Sequence, residues 1–388
     1  MTTTMLKPVI GAEGPFVSVH IDVSRSDPAG STEVEVRWRD LRRSLEEQGA
    51  DPAAVELAGE AVLAPTGVGG ECARSVVATA SGVLIDRLLP VSPSQDVARW
   101  SPVPSLGPLL HGAGREVKRL MVQVDREGAD LALVLPGAAR PAEEAEVGGG
   151  HDELHKIPGG GWSQLRYQRR VEDSMERNAE AVAAEVDRVV MEHKPQAVLL
   201  SGDVRVRGLV RASVRQEVVA VLRDVEGSGR ADGENHAAAE RAVNDVLDAV
   251  RAEHRQASAA AFAEHRGQDA GAVDGLAAVA EVLGRGQVSE LLLAESSRLN
   301  ERTLWCGATA LELGVSRGDL ADPDAARELP AEDAIIFAAI SQDAAVTWVL
   351  DEELELADGV GASLRWNDAS TPHDLSPSMS GDAHRGNV

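Results

Sequence analysis

The sequence predicts an α/β protein of three domains followed by a polar tail, and three observations carry this. Its 388 residues exceed one ordinary domain and suit two or three. A hydrophobic content of 43% is enough for packed cores. Short runs of branched or alternating apolar residues take turns with longer segments of helical period, which is the pattern of an α/β layer fold.

The first domain spans residues 1–115. It opens with "FVSVHIDV" (Phe16 to Val23), whose branched, alternating apolar residues read as a strand. Helices over Glu33 to Glu47 and Ala53 to Leu63 follow. "SVVATAS" and "GVLIDRLLP" then form a strand pair turning at Gly82. The Pro- and Gly-rich passage "PSLGPLLHGAGRE" marks a boundary near residue 115.

The second domain spans residues 116–270. "RLMVQVD" and "ADLALVLPG" make a hairpin about "REG". A glycine-rich segment from Gly148 to Gly161 precedes a long helix with the apolar stripe Val171, Met175, Val182, Val186 and Val189. "QAVLLSGD" (Gln196 to Asp203) is a buried strand leading through a turn into a helix. "EVVAVLRD" (Glu217 to Asp224) reads as another strand. An alanine-rich helix runs from about Ala237 to His265.

The third domain spans residues 271–366. It reads as a helix (Val273 to Leu283), strands "VSELLLA" and "TLWCGA", the helix "AEDAIIFAAIS", and strands "AVTWVL" and "VGASLRW". That order makes a small α/β/α sandwich. Residues 367–388 are polar, with Pro, Ser, Gly and His, and are expected to be a disordered tail.

Composition narrows the setting. Two distant cysteines, Cys72 and Cys306, exclude a disulfide framework or a four-cysteine zinc site and suit a reducing, cytoplasmic location. The opening "MTTTMLKPVIGAEG" has no basic region followed by an apolar core, so no signal peptide is expected. Apolar runs such as "AIIFAAI" are too short to span a bilayer, and no membrane partner is expected. The formal charge is −25. Between Glu290 and Asp358, sixteen acidic residues face four arginines. Such a surface repels phosphate and favours a basic or mixed protein partner.

Familiar catalytic motifs fail here. "HDELH" (His151 to His155) lacks the Glu that zincins place after the first His, and glycines flank it where a helix is needed. No metal site and no cofactor are expected. The chain has no G-x-x-x-x-G-K-[ST] loop, no G-x-G-x-x-G pattern and no G-x-S-x-G elbow.

"KIPGGGWSQLRYQRR" (Lys156 to Arg170) stands out instead. No acid occurs between Glu153 and Glu172. Glycines allow close backbone approach to a ligand. Trp162 can stack on a base, at about 1–3 kcal/mol. Arg166, Arg169 and Arg170 fall at a helix start, where cations oppose the helix dipole by roughly 0.3–1 kcal/mol each. Their position suggests an anion to be met, with pairing to Asp173 the plainer alternative. A second acid-free run, "VRVRGLVRASVRQ", places Arg207, Arg211 and Arg215 four apart, on one face if helical.

These residues resemble a family. Eukaryotic and archaeal class I release factors carry a Gly-Gly-Gln-Ser motif, then an arginine, an aromatic and another arginine, opening a long helix in the central domain. Gly160, Gly161, Trp162, Ser163, Arg166, Tyr167 and Arg169 fall into that register. The chain is similar, to about residue 366, to the bacterial archaeo-eukaryotic release factor-like group that includes the hibernation factor Balon, with Pelota a further relative. The resemblance implies a ribonuclease H-like middle domain. It also implies a ribosome partner contacted at the rRNA of the peptidyl-transferase centre, RNA rather than DNA contact, and a translational GTPase as a further partner. RNA-binding roles are implied for Gly160, Gly161, Trp162, Ser163, Gln164, Arg166, Arg169, Arg170, Arg207 and Arg211.

The departures shape the expected function. The family's glutamine helps water attack the peptidyl-tRNA ester, and here Trp162 occupies that position. An indole has one donor and no acceptor. No Asn-Ile-Lys-Ser stop-codon motif occurs in the first 115 residues. The expectation is a non-enzymatic ribosome-binding factor of hibernation type. Two alternatives stay open: a peptidyl-tRNA hydrolase using Gln164, and a binding protein unrelated to ribosomes.

Overall fold

The computed structural model describes residues 6–24, 30–67, 70–90, 93, 95–114, 116–136, 141–148, 162–226, 236–268, 271–368 and 371–372; the side chains of 30–32, 162–174 and 236–237 fall outside that description. Residues 1–114 together with 255–388 form unit 1, and residues 115–254 form unit 2. In sequence, unit 2 is therefore an insertion between two halves of unit 1.

The first half of unit 1 runs α1 (Lys7–Ile10), β1 (Phe16–Asp22), α2 (Gly30–Glu47), α3 (Pro52–Leu63), β2 (Ala73–Thr79), β3 (Gly82–Leu89), β4 (Val97–Ser101) and α4 (Gly107–Gly114). Asp51 caps α3 by accepting from the Ala53 and Ala54 amides. The strands form an antiparallel sheet in the order β3-β2-β1-β4. Alternation along β1 feeds two cores. Val17, Val19 and Ile21 meet Val34, Trp38, Leu45, Val55 and Val62 of α2 and α3. Phe16, Ser18 and His20 turn to the other face. Helix α4 lies inside the stretch whose prolines and glycines mark it as a boundary; Leu109, Leu110 and Ala113 nonetheless give α4 a buried face.

Unit 2 contains β5 (Arg119–Val124), β6 (Gly128–Val134), β7 (Glu143–Gly148), α5 (Trp162–His193), β8 (Ala197–Gly202), α6 (Val204–Ser213), α7 (Gln216–Val221), β9 (Leu222–Asp224) and the first half of α8 (His236–Gly267). Its sheet has the order β7-β6-β5-β8-β9. The first three strands pair antiparallel, and β8 and β9 run parallel to β5. This is the ribonuclease H-like arrangement. Helices α5, α6 and α7 cover one face, while Leu247 and Val250 of α8 cover the other.

Two elements of unit 2 differ from the sequence reading. "EVVAVLRD" is mostly helix, with only Leu222 to Asp224 in the sheet. Its apolar residues Val218, Val221 and Leu222 follow helical spacing, and the buried Val218 anchors that turn to the core, overriding β-branched propensity. Strand β7, "EEAEVG", pairs with β6 at the sheet edge. Its glutamates hide a strand signal while blunting the exposed edge.

The second half of unit 1 continues α8 and adds β10 (Ala272–Asp274), α9 (Leu276–Gly284), β11 (Val288–Ala294), β12 (Thr303–Cys306), β13 (Leu313–Gly314), β14 (Arg327–Pro330), α10 (Ala331–Ser341), β15 (Ala345–Val349) and β16 (Val360–Leu364). Val273 lies in a strand, not at a helix start, because Gly275 at φ 86° turns the chain before α9. The main sheet, β10-β16-β11-β15, has α9 and α10 on one face, and Ala259 and Phe262 of α8 pack on the other. This is the α/β/α sandwich. A small sheet, β13-β12-β14, lies beside it.

One core spans both halves of unit 1. Phe16, Val77, Ile85, Leu109 and Leu110 join Val279, Leu283, Ile335, Ile336 and Phe337. The Phe16 and Phe337 rings lie 6.4 Å apart. Polar contacts close the seam: Arg99 donates to Asp333 at 2.6 Å, and His111 meets Glu295 at 3.0 Å. His20 is fully enclosed. Burial lowers its pKa to about 4 and keeps the ring neutral near pH 7, so Nε2 donates to the Ser105 carbonyl and Nδ1 accepts from the Ser75 hydroxyl, both at 2.8 Å.

Candidate functional site

The glycine-rich loop leads to the head of α5. Gly160, Gly161 and the "HDELH" stretch lie outside the described residues. Trp162, Ser163, Gln164, Arg166, Arg169 and Arg170 occupy the first turns of α5, and their side chains lie outside the description. Among the described residues, the body of unit 2 holds the later part of this helix. Met175, Ala179, Val182, Ala183, Val186, Val189 and Val190 are its described core residues. Asn178 donates to the Arg126 carbonyl at 3.2 Å, at the turn between β5 and β6. From Trp162 to Asn178, at about 1.5 Å per residue, is roughly 24 Å of helix. The first amides of α5 have no partner within the helix.

Strands β5 and β8 end side by side, with Val124 opposite Gly202. Asp125 and Asp203 follow directly. Two carboxylates at such strand ends could hold a catalytic metal, but both brace the backbone. Asp125 accepts from the Glu127 and Gly128 amides at 2.8 Å. Asp203 caps α6, accepting from the Arg205 and Val206 amides at 2.9 and 3.3 Å, and pairs with Arg126 at 3.3 Å. Burial works to raise the Asp203 pKa, yet these hydrogen bonds outweigh it and hold the carboxyl below its usual range. Among the described residues, no group of three or more His, Cys, Asp or Glu could hold a metal ion.

Helix α6 carries the second arginine run. Arg207 and Arg211 do share a face, and both reach one carboxylate, Asp224 on β9, at 3.2 and 2.5 Å. Arg215 does not join them. The helix ends at Ser213, Val214 is extended, and Arg215 begins α7, reaching Asp187 of α5 at 3.6 Å. Sequence reasoning missed Asp224 because β9 lies beyond another helix; only "SGD" at the end of β8 hints at the cap that aims α6.

The acids of the second half of unit 1 are partly structural. Glu312 accepts from the Ala308 and Ala321 amides, Asp319 from Ser316, and Asp322 from Asp324 and Ala325. Glu353 pairs with Arg255 and Asp358 with Arg302, each at 2.6 Å. Cys72 and Cys306 are buried free thiols, and burial pushes Cys306 up to about 12. No helix among the described residues is long and apolar enough to cross a membrane.

Known proteins are similar to this chain to different degrees. Residues 118–268 match the model described as bacterial archaeo-eukaryotic release factor family 2. The uncharacterized protein Rv2629 of Mycobacterium tuberculosis H37Rv is 30% identical over 375 residues, covering 94% of this chain and 97% of the relative. Among solved structures, archaeal Pelota, described in a ribosome-bound model with ABCE1, is 11% identical over 94% of each chain, with a TM-score of 0.40. S. cerevisiae Dom34, a translation termination-like factor that interacts with Hbs1, is 12% identical over 78% of this chain and 82% of its own, with a TM-score of 0.36. The mycobacterial match runs almost end to end, and the family model covers the sheet of unit 2 with the helices on both its faces: the chain belongs to the bacterial archaeo-eukaryotic release factor family.

Proposed function

We propose that this protein is a ribosome-binding factor of hibernation type. It occupies the A site and the peptidyl-transferase centre without stop-codon-dependent release, and acts in the cytoplasm under stress. The observation that carries the proposal is Trp162 at the head of α5, where the release-factor pattern has glutamine. Ester cleavage needs a positioned water and donors aimed at the developing oxyanion. Gly160 and Gly161 offer backbone donors; the indole cannot place a water as an amide does. Stacking by Trp162 favours occupancy instead, with Ser163 and Gln164 beside it and Arg166, Arg169 and Arg170 on rRNA phosphates. Arg207 and Arg211 add a second basic surface on the same unit. The acid-rich half of unit 1 suits a protein partner, such as a ribosomal protein or a translational GTPase.

Co-sedimentation with ribosomes from growing and starved cells tests binding. Replacing Arg166, Arg169 and Arg170 by Ala is expected to weaken it by roughly a hundred- to two-thousandfold, at roughly 1–1.5 kcal/mol for each of the three lost charge-assisted contacts, and to flatten its salt dependence. Unchanged affinity and slope would reduce these arginines to a solvated helix start.

The second reading, a peptidyl-tRNA hydrolase, rests on Gln164, two residues past the family position. With ribosomes holding peptidyl-tRNA, no multiple-turnover peptide release is expected, and Trp162→Ala should bind more weakly. Release that disappears in Gln164→Ala would replace the hibernation reading with the hydrolase.

A further inference from the structure

We propose that Asp224 is a built-in stand-in for an RNA phosphate: it holds Arg207 and Arg211 until a backbone phosphate of the bound RNA displaces it. The inference rests on the reading that unit 2 binds ribosomal RNA. It deepens that reading by giving the second basic surface an internal competitor.

The geometry is that of an anion clamp. One carboxylate oxygen of Asp224 meets Arg207 at 3.2 Å and the other meets Arg211 at 2.5 Å. Two guanidinium groups thus share a single anion, leaving the cluster one positive charge in excess. The site is open on the side a ligand would approach, since the Asp224 and Arg211 side chains are 42% and 39% exposed. Arg207 is the fixed jaw. Its side chain is only 14% exposed, and its buried Nε has no hydrogen-bond partner.

The neighbouring acids are otherwise engaged. Asp203 caps α6 and pairs with Arg126, and Asp187 meets Arg215. Arg223 points to Glu253 and to the Ala220 and Leu222 carbonyls. Asp224 itself is held in the sheet through its backbone, opposite Leu200. Its carboxylate meets the two arginines and accepts from no described backbone amide that would make it a cap.

A phosphate suits this clamp better than the carboxylate does. Guanidinium groups bind both anions through paired N–H donors, and a phosphate adds a further oxygen for the second arginine. Exposed carboxylate–arginine pairs hold weakly, at about 0–1 kcal/mol each, so the carboxylate can be exchanged. Its charge also repels incoming RNA. Asp224 therefore lowers affinity and eases release while keeping the arginines ordered.

The test uses the full chain, purified ribosomes and a salt series. Asp224→Asn is expected to bind about three- to tenfold tighter, as the competing pairs are removed. The magnitude of its log–log salt slope should increase by roughly 0.7–0.9, the value of one added phosphate contact. Glu217→Gln, an exposed acid on α7, controls for net charge and should shift affinity less than about twofold. The decisive comparison places Asp224→Asn in an Arg207→Ala, Arg211→Ala background, where its gain should vanish. A gain that persists there, or an Asp224→Asn variant no tighter than wild type, overturns the proposal while leaving ribosome binding intact. Failure of the wild-type protein to bind ribosomes removes the underlying reading, and this inference with it.

Discussion

Gly202→Ala is expected to destabilise unit 2 by about 3 kcal/mol or more. Gly202 ends β8 at φ 106°, a conformation that side chains rarely adopt, and a Cβ there would run into the Val124 carbonyl. Backbone strain of this kind costs about 1–3 kcal/mol, and the collision with fixed backbone adds to it. The same carbonyl accepts from the Asp203 amide at 3.1 Å, so it cannot retreat without losing that bond. The cap on α6 loosens with it, and Arg207 and Arg211 lose their aim. Five of the six tryptophans, Trp38, Trp100, Trp305, Trp348 and Trp366, belong to unit 1. Tryptophan emission therefore follows unit 1, while helix circular dichroism also senses α5. A dichroism transition that moves to lower temperature with the emission transition unchanged is the expected result. Unaltered melting by both probes would show that the strand end relaxes freely.

Mild acid is expected to weaken unit 1 through His20. Burial pushes its pKa down to about 4, with a smaller push from Arg99 in the same direction, and the hydrogen bond to the Ser105 carbonyl opposes both. Above pH 6.5 the ring is neutral whether the chain is folded or not, so its contribution to stability is complete. As the pH falls from 6.5 toward 4, the unfolded chain takes up a proton that the folded one refuses. The loss reaches about 2 kcal/mol at pH 5 and about 3 kcal/mol near pH 4. Glu332 and Asp333 work against this trend, because burial raises both and they take up protons more readily when folded. The comparison with His20→Gln isolates the histidine. Between pH 7 and 5 the wild-type urea midpoint, read by tryptophan emission, should fall more steeply than that of the variant. Parallel curves would mean that His20 protonates within the fold at no cost.

Local chemistry explains which parts of this structure could be read from the chain. Strand β1 was legible because Val17, Val19 and Ile21 alternate, and α5 because its apolar residues recur at helical spacing. Strand β7 was not, since an edge strand guarded by Glu143, Glu144 and Glu146 resembles a charged loop. The spacing of Arg207 and Arg211 announced a shared face, while Arg215 followed the same spacing past the end of the helix. Their partner Asp224 carried no sequence signal, because strand order and not chain proximity brings it to α6. The core joining Phe16 to Phe337 was equally hidden. An apolar face shows that it will be buried, but not against what.

That core sets an order for folding during synthesis. When residues 1–114 leave the ribosome, the sheet face carrying Phe16 and Val77 has α1 and α4 beside it but lacks the cover of Ile335, Ile336 and Phe337, which have not yet been made. Residues 115–254 emerge next with a complete sheet and helices for both its faces, so unit 2 can fold while the first half of unit 1 still waits. A nascent chain arrested before α10 would therefore hold a finished middle and an open apolar flank, the kind of surface that chaperones bind and proteases remove.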